Sequence, residues 1–234
     1  MSFVLKDNAI FIADSHYNIN NPEFKEILNK LEQNEIEFSQ IFFLGDNFDF
    51  ISGESKYFIK QNKELINIIN SLSLKYEIFY LEGNHDYNLQ KLFPKVKVFK
   101  REEQALVLKY KDKTIAISHG DNFTSWDYNL YCKIIRNSYL LYFLNFIDIN
   151  NFISKRIEKA LLKKNICHKM DDFESLARKR VKNYKEDIII EGHFHQGKSF
   201  VIGNQEYINI PSLYCQKDFT RFKDGRFIIE SLKD

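Results

Sequence analysis

Five short motifs along the chain carry the aspartate, asparagine and histidine side chains that divalent metal ions bind. They are DSH at 14–16, GDNFD at 45–49, GNHD at 83–86, HGD at 119–121 and GHFH at 192–195. Their carboxylate, carboxamide and imidazole donors suit Mn²⁺ or Fe²⁺ and also allow Zn²⁺. Two such ions about 3.5–4 Å apart can clamp an in-line displacement at phosphorus. The motifs therefore predict a phosphoryl hydrolase that uses two divalent ions.

Asp46 is the candidate bridge between the two ions, because one carboxylate can offer an oxygen to both of them. The other candidate ligands are Asp14, His16, Asn84, His119, His193 and His195. Taken singly, each has an ordinary alternative, since an aspartate can cap a helix and an asparagine or histidine can lie in a turn. Five motifs in this order favour the metal site. We expect Asp49, Asp86 and Asp121 to support the ligands rather than to bind an ion.

The elements that position these motifs are short apolar runs typical of buried strands. The runs are Ala9–Ala13, Ile41–Leu44, Glu77–Leu81, Thr114–Ser118 and Asp187–Ile190. Strands that are apolar along their whole length are covered on both faces. In open α/β sheets, ligands bind at the carboxyl ends of the strands. The sequence therefore predicts an α/β protein in which the five motifs meet at one place.

Further elements follow from periodicity and turn signals. Residues 21–33 and 57–74 have helical periodicity, and a hairpin is expected around Asp224-Gly225. We also expect residues 96–100 and 104–110 to form a hairpin that leads into the fourth strand.

Composition narrows the class of protein. A length of 234 residues with 44% hydrophobic content predicts one large domain over residues 1–234 and excludes a disordered chain. The three cysteines lie far apart and form no CxxC pair, which argues against a disulfide framework and for a reducing compartment. Charges at Lys6, Asp7 and Asp14 leave too short an apolar stretch for a signal peptide or a membrane span. We predict a cytoplasmic protein.

Residues 122–186 form a distinct segment that contains no glycine or proline and is predicted to be mostly helical. Between residues 121 and 186 there are 13 Lys and Arg residues against 8 Asp and Glu residues. The segment begins directly after the HGD motif and ends just before the GHFH motif, so it must rise from the rim of the metal site. We predict a helical lid inserted within the domain.

The apolar run Tyr139–Ile149 is the most distinctive part of this lid. It is too short to span a bilayer, and basic residues follow it at Lys155, Arg156 and Lys159. A helix of this character can lie at an anionic membrane surface or line an acyl pocket beside phosphates. The alternative is that its apolar face is buried in the core or in a dimer contact. The sequence leaves the oligomeric state open.

Together, the five motifs resemble those of the calcineurin-like metallophosphoesterase superfamily. The resemblance implies a four-layer α/β sandwich, in which two mixed sheets are flanked by helices. It implies one ion on Asp14, His16, Asp46 and His195, and the other on Asp46, Asn84, His119 and His193. It also implies that His85 is the catalytic imidazole and that the nucleophile is a hydroxide bridging the ions.

Within this superfamily, the lid is similar to that of the UDP-2,3-diacylglucosamine diphosphatases of lipid A synthesis. That resemblance implies cleavage of a nucleotide-lipid pyrophosphate to UMP and 2,3-diacylglucosamine 1-phosphate, with Mn²⁺ as the metal. It also implies a cytoplasmic enzyme peripheral to the inner membrane, without a nucleic-acid partner. Many of these enzymes have arginine where this chain has His85. The implied substrate-binding residues are Asn84, His85, Asp127, Tyr131, Arg136, Lys163, Lys164 and His193.

Two other functions fit the same motifs. The first is a soluble phosphodiesterase or nucleotidase that acts on nucleotides or nucleic-acid ends, and the basic lid favours it through attraction to phosphate. The second is a non-catalytic scaffold that keeps the fold, which the full set of candidate ligands disfavours.

Overall fold

Two six-stranded mixed sheets pack face to face in a computed structural model that describes residues 3–233. The strands are β1 (Phe3–Val4), β2 (Ala9–Ile12), β3 (Gln40–Phe43), β4 (Ile51–Ser52), β5 (Glu77–Leu81), β6 (Asp86–Tyr87), β7 (Lys97–Phe99), β8 (Leu106–Tyr110), β9 (Lys113–Ser118), β10 (Ile188–Glu191), β11 (Lys198–Ile202), β12 (Gln205–Asn209), β13 (Asp218–Lys223) and β14 (Arg226–Ser231). The helices are α1 (Glu23–Glu32), α2 (Lys56–Gln61), α3 (Lys63–Ser73), α4 (Trp126–Ile135), α5 (Ser138–Ile147), α6 (Phe152–Leu161), α7 (Phe173–Val181) and α8 (Leu213–Gln216).

The strand order places parallel strands at the centre of both sheets. The first sheet runs β14-β13-β2-β3-β5-β7, and the second runs β1-β8-β9-β10-β12-β11. Strands β2, β3 and β5 are mutually parallel in the first sheet, as are β9, β10 and β12 in the second. A small third sheet pairs β4 with β6.

Three apolar cores separate four layers. Helices α1 and α3 cover the outer face of the first sheet, where Phe24 packs edge-on against Phe43. The inner faces of the two sheets meet around stacked rings that include Phe11, Phe42 and Phe79. Helix α7 covers the outer face of the second sheet. The predicted four-layer sandwich is therefore confirmed.

Most predicted elements are confirmed, and two differ. All five ligand-bearing strands form, as does the hairpin around Asp224-Gly225. The predicted hairpin between residues 96–100 and 104–110 is wrong, because β7 pairs with β5 in the first sheet and β8 pairs with β9 in the second. The predicted helix over 57–74 is divided into α2 and α3 at Asn62, whose side-chain amide donates to the Phe58 carbonyl.

The helical segment 122–186 has two structural parts. Helices α4, α5 and α6 form the lid. Helix α7 belongs to the body, since its Phe173 and Ala177 pack in a buried cluster with Ile189 and Tyr207 of the second sheet. Within residues 3–233, no helix combines the length and the apolar character needed to cross a bilayer.

One buried carboxylate, that of Glu54, fastens the lid to the body. Ser138 Oγ of the lid donates to Glu54 Oε1 at 2.9 Å, and Asn145 donates to the Glu54 carbonyl. The Asn88 amide donates to Glu54 Oε2 at 2.9 Å and also to the carbonyl of Arg136 at 2.9 Å. The turn between α4 and α5 is therefore held against the body.

The expectation that the cysteines stay unpaired is wrong for two of the three. Cys167 and Cys215 form a disulfide, while Cys132 is free and buried. The two paired residues are 48 positions apart in sequence, so their spacing gave no sign of a bridge. The disulfide joins the loop after α6 to α8, and the cysteine pattern therefore gives no support to a reducing compartment.

Candidate metal centre

All five motifs lie at one edge of the sandwich, where parallel strands of both sheets end. Asp14 follows β2, Asp46 follows β3 and Asn84 follows β5 in the first sheet. His119 follows β9 and His193 follows β10 in the second sheet. Because the two sheets are stacked, their carboxyl ends bring these side chains together.

The side chains form three overlapping groups that could each hold an ion. Within each group, the donor atoms all lie within 4.8 Å of one another. The groups are Asp14, His16 and His195; His16, Asp46 and His85; and Asp46, His119 and His193. Asp46 is common to two groups, as a bridging ligand would be. Asn84 joins the third group, since its Oδ1 lies 3.4 Å from His119 Nε2.

Backbone carbonyls set the orientation of three of the imidazoles. Each ring places Nδ1 within hydrogen-bonding distance of a carbonyl, which leaves Nε2 for the centre. The pairs are His119 with Leu44 at 2.7 Å, His195 with Ile166 at 3.0 Å and His85 with Asp49 at 2.6 Å. The Ile166 carbonyl comes from the loop after α6, so that loop helps to orient a ligand.

The donor set fits metal ions because several of its buried atoms have no other partner. Among residues 3–233, Asp14 Oδ1 and both ring nitrogens of His16 are buried without a hydrogen bond. Such atoms are costly to bury unless something binds them. Divalent ions would satisfy Asp14 Oδ1 and one ring nitrogen of His16. The other nitrogen of a neutral imidazole carries a proton, and His16 Nδ1 lies 3.8 Å from Asp49 Oδ1.

The backbone at the ligands is held in a conformation that L-residues rarely adopt. The φ angles are +51° at Asp14, +41° at His16, +52° at Asp46, +64° at His193 and +56° at His195. Positive φ at residues other than glycine is strained and is concentrated at functional sites. It turns the chain abruptly at the strand ends, so residues two positions apart reach the same centre.

Two glycines permit this close approach. A Cβ on Gly83 would lie 2.2 Å from Asp46 Oδ1, and a Cβ on Gly45 would lie 2.6 Å from His119 Nδ1. Both contacts are shorter than real side chains tolerate. A glycine at each position is therefore required by the space that the ligands occupy.

Asp86 is a supporting residue, as predicted. Its buried carboxylate accepts hydrogen bonds from the backbone N–H groups of Asp46 at 2.9 Å, Asn47 at 2.7 Å and Gly83 at 2.9 Å. It also accepts from the Tyr80 hydroxyl at 2.6 Å. One side chain thus locks the loops that carry Asp46 and Asn84.

Burial and charge set different protonation states for the imidazoles. Burial lowers the pKa of His16 to about 3 and that of His193 to about 4, so both rings are neutral and able to bind an ion. Burial acts in the same direction on His119, but carboxylates led by Asp46 and Asp121 outweigh it and raise its pKa to about 9.

Mn²⁺ binding is expected to tighten as the pH rises. Because the pKa of His119 is about 9 in the ion-free protein, its imidazole must lose a proton before it can bind an ion. The affinity should therefore increase by up to about tenfold per pH unit from pH 7 to pH 9 and level off above that. Calorimetry in buffers of different ionisation enthalpy gives the affinity and the protons released. An affinity that does not change over this range would contradict the expectation.

Comparison with known proteins agrees with this geometry. The family model for calcineurin-like phosphoesterases matches residues 8–197. The chain belongs to the calcineurin-like phosphoesterase family. It is a metal-dependent hydrolase. Among solved structures, the phosphoesterase Yfce from E. coli superposes with a TM-score of 0.51 at 12% identity, covering 97% of this chain and 93% of that chain.

Three curated relatives of this phosphoesterase share one name. UDP-2,3-diacylglucosamine hydrolase from Wigglesworthia glossinidia brevipalpis is 26% identical over 212 residues, covering 86% of this chain and 84% of that protein. The protein of the same name from Photorhabdus laumondii is 24% identical over 205 residues, covering 80% of this chain and 82% of that protein.

An apolar cavity of about 460 Å³ lies between the metal centre and the lid of this phosphoesterase. Asn84 and His85 line it on the side of the body, together with Phe50 and Tyr87. Its lining from the lid includes Tyr128, Tyr131, Leu140, Leu141, Leu144 and Leu161, with Lys164 just after α6. The cavity thus connects the candidate ligands to the apolar face of the lid.

The structure brings four of the eight predicted substrate-binding residues to this cavity. They are Asn84, His85, Tyr131 and Lys164. His193 lies instead with the ligands Asp46 and His119. Asp127 and Lys163 are exposed and are not part of the described lining.

Arg136 lies elsewhere and has a different set of contacts from those of a substrate-binding residue. It is buried, its guanidinium donates to the Gly83 carbonyl at 2.6 Å, and it stacks over the Tyr87 ring. Its charge faces Glu82 and Asp121, each 3.7 Å away. Arg136 therefore holds the end of α4 against the loop that carries Asn84.

The sequence indicated that the run Tyr139–Ile149 could line an acyl pocket, but it did not identify which residues of the run would do so. Leu140, Leu141 and Leu144 of α5 line the cavity, and Leu140 is also partly exposed. Tyr139 and Phe143 of the same helix are more exposed and lie outside the described lining. Helical periodicity was the available signal. Because α5 is apolar on both faces, its periodicity does not reveal which face lines a cavity.

Proposed function

We propose that this phosphoesterase hydrolyses the pyrophosphate of UDP-2,3-diacylglucosamine and releases UMP and 2,3-diacylglucosamine 1-phosphate. The observation that carries the proposal is the apolar cavity that runs from Asn84 and His85 under the lid. A phosphoesterase for small soluble esters has no need of such a cavity. An acyl chain gains about 0.8 kcal/mol for each CH₂ group that it buries.

The names of the curated relatives agree with this substrate. The proteins from Wigglesworthia glossinidia brevipalpis and Photorhabdus laumondii are both called UDP-2,3-diacylglucosamine hydrolase, and each matches at least four fifths of this chain. A nucleotide-lipid substrate also accounts for a lid whose inner face is apolar while its sequence is basic.

The residues beside the cavity have distinct parts in the reaction. Two divalent ions, which we propose to be Mn²⁺, would lower the pKa of an attacking water and neutralise charge on the phosphoryl group. His85 directs Nδ1 to the Asp49 carbonyl, which leaves Nε2 to contact a phosphate oxygen or to protonate the leaving group. Lys164, which also lines the cavity, supplies a cation for the phosphate charge.

The outer face of the lid supports a peripheral position on an anionic membrane surface. Tyr139 is 87% exposed, Phe146 is 85% exposed and Trp126 is 77% exposed. Basic side chains of α6, including Lys155 and Arg156, are exposed as well. Aromatic and basic groups together bind anionic membrane surfaces.

An assay panel with Mn²⁺ tests the proposal. Hydrolysis of UDP-2,3-diacylglucosamine should exceed that of soluble esters such as bis(p-nitrophenyl) phosphate and UDP-N-acetylglucosamine. Activity confined to the soluble esters would overturn the proposal and favour a soluble phosphodiesterase.

Leu144→Gln should raise the KM for the lipid substrate by about 10- to 100-fold, because it places an amide without a hydrogen-bond partner against the acyl chains. Hydrolysis of soluble esters should change by less than about twofold, since Leu144 is not a ligand. Phe143→Gln on the exposed side of the same helix is the matched control, measured in detergent micelles. An equal loss in both variants would mean that α5 is damaged rather than that the cavity binds acyl chains.

A further inference from the structure

We infer that the nucleoside of the substrate binds in a second, polar cleft on the other side of the end of α6. This inference rests on the proposed function and adds the location of the nucleotide. The cleft has a volume of about 70 Å³ and is continuous with a groove of about 130 Å³, so the cleft and the groove together would receive the nucleoside. The cleft is lined by Asn18, Asn20, Asn21 and Tyr214, and by Leu162 and Ile166 on its apolar side.

The end of α6 divides the space above the metal centre into two parts. His85, Leu161 and Lys164 line the polar cleft, and the same three residues line the apolar cavity. The two spaces therefore meet at His85 and Lys164, beside the ligands. A pyrophosphate at this junction would extend its two substituents in different directions.

The two spaces differ in chemistry. Leucine, isoleucine and tyrosine side chains dominate the apolar cavity. The polar cleft has three neighbouring carboxamides from Asn18, Asn20 and Asn21. It continues into a groove of mixed character, where Gln61 and Asn62 lie beside Phe50 and Phe58. Carboxamides offer both donors and acceptors, which match the imide edge of a pyrimidine and the hydroxyls of a ribose. They do not suit an acyl chain.

Two of the three carboxamides have groups left to bind a ligand. Asn18 is fully engaged, because its Nδ2 donates to the His16 carbonyl at 3.2 Å and to Asp49 Oδ2 at 3.3 Å, while its Oδ1 accepts from the Asn20 N–H at 2.9 Å. Asn21 uses only Nδ2, which donates to the His16 carbonyl at 3.3 Å. Among the described residues, the exposed Asn20 side chain has no partner.

The loop that carries these carboxamides is held in place by the metal-ligand motif before it. Asn21 N–H donates to the Asn18 carbonyl at 3.0 Å, which closes a tight turn. Tyr17 N–H donates to the Asn47 carbonyl at 3.0 Å and so joins this turn to the loop after Asp46. A preorganised loop binds a ligand with little ordering cost.

Hydrolysis then distributes the products between the two spaces. Water adds to the phosphorus on the nucleoside side, the bond from that phosphorus to the bridging oxygen breaks, and the bridging oxygen leaves with the lipid phosphate. UMP remains in the polar cleft, and 2,3-diacylglucosamine 1-phosphate remains in the apolar cavity. Product binding can therefore be measured separately for each space.

Binding of each product to Mn²⁺-loaded protein tests the inference. Asn21→Leu and Asn20→Ala should each weaken UMP binding, with a combined loss of about tenfold or more, and leave binding of the lipid phosphate within about twofold. Leu144→Gln should weaken binding of the lipid phosphate and leave UMP binding within about twofold. Asn20 is exposed, so Asn20→Ala guards against a loss that comes only from misfolding. Wild-type protein should bind UMP at least about tenfold more tightly than ribose 5-phosphate or inorganic phosphate.

The outcomes separate this inference from the proposed function. One outcome is hydrolysis of the lipid substrate while UMP binds no better than ribose 5-phosphate, or while UMP binding is unchanged by both asparagine substitutions. In either case the polar cleft is not the nucleoside site. If the lipid substrate is not hydrolysed but UMP binding depends on both asparagines, the proposed substrate is wrong and the cleft stands as a nucleotide site. Failure of UMP to bind at all overturns the inference.

Discussion

Replacing Asp46 with asparagine should lower turnover by a factor of about 10³ or more, the largest effect that we expect for a single substitution. Asp46 belongs to two of the three groups of candidate ligands, so one carboxylate would serve both ions. Asparagine keeps the shape of the side chain but removes the negative charge that both cations need. The bound Mn²⁺ per protein, measured by mass spectrometry of metals, should fall together with the rate.

The fold should survive this substitution. Asp46 Oδ1 accepts the His85 N–H at 2.8 Å, and an asparagine Oδ1 can accept the same bond. Circular dichroism should therefore show an unchanged spectrum. Asp112→Asn is the matched control, because Asp112 is exposed in the turn between β8 and β9. Full metal content and full activity in Asp46→Asn would exclude Asp46 as the bridge.

The positions of the ligands were predictable because each motif directly follows an apolar run. A chain cannot place polar side chains along buried parallel strands, so it places them where the strands end. In α/β sheets, ligands bind at the carboxyl ends of the strands. The structure gives a reason for the glycines beside Asp46 and Asn84, since Gly45 and Gly83 lie where any Cβ would collide with a candidate ligand. The identity and order of the motifs were thus sufficient to predict that these side chains lie together, and their roles as ligands stay a prediction.

Strand partners were not predictable in the same way. Residues of β7 and β8 have the alternating pattern of half-buried strands, and that pattern is the same whether two strands pair with each other or enter different sheets. The chain crosses between the sheets at a 3₁₀ turn over residues 101–103, which no Asn-Gly or Asp-Gly dipeptide marks. The disulfide between Cys167 and Cys215 was not predictable either, because only the folded chain brings the two cysteines together.

The contacts of Arg136 show that a positive charge in the lid does not by itself identify a substrate contact. From the sequence, an arginine in a basic lid points to phosphate. In the structure it is buried and faces Glu82 and Asp121, two acidic residues from the strand ends below. The Arg136 guanidinium therefore pairs with carboxylates of the body. Lys164, after the last turn of α6, lines the cavity instead.

His85→Gln should reduce kcat by about 10²- to 10⁴-fold, the range for loss of a positioned proton donor. Glutamine can still donate to the Asp49 carbonyl that the His85 ring contacts at 2.6 Å, but it cannot transfer a proton to a leaving group. The metal content should stay the same, and KM should change little. Steady-state kinetics with Mn²⁺ and metal analysis of the same samples measure both.

The metal content decides between two roles for His85. Its ring nitrogen lies within 4.8 Å of donor atoms from His16 and Asp46, so the same side chain could serve as a ligand. If the bound Mn²⁺ falls in proportion to kcat, His85 is a ligand and its catalytic role is wrong. If kcat falls at full occupancy, the imidazole acts on the substrate. His168→Gln, at an exposed histidine in the loop after α6, is the matched control and should change neither quantity.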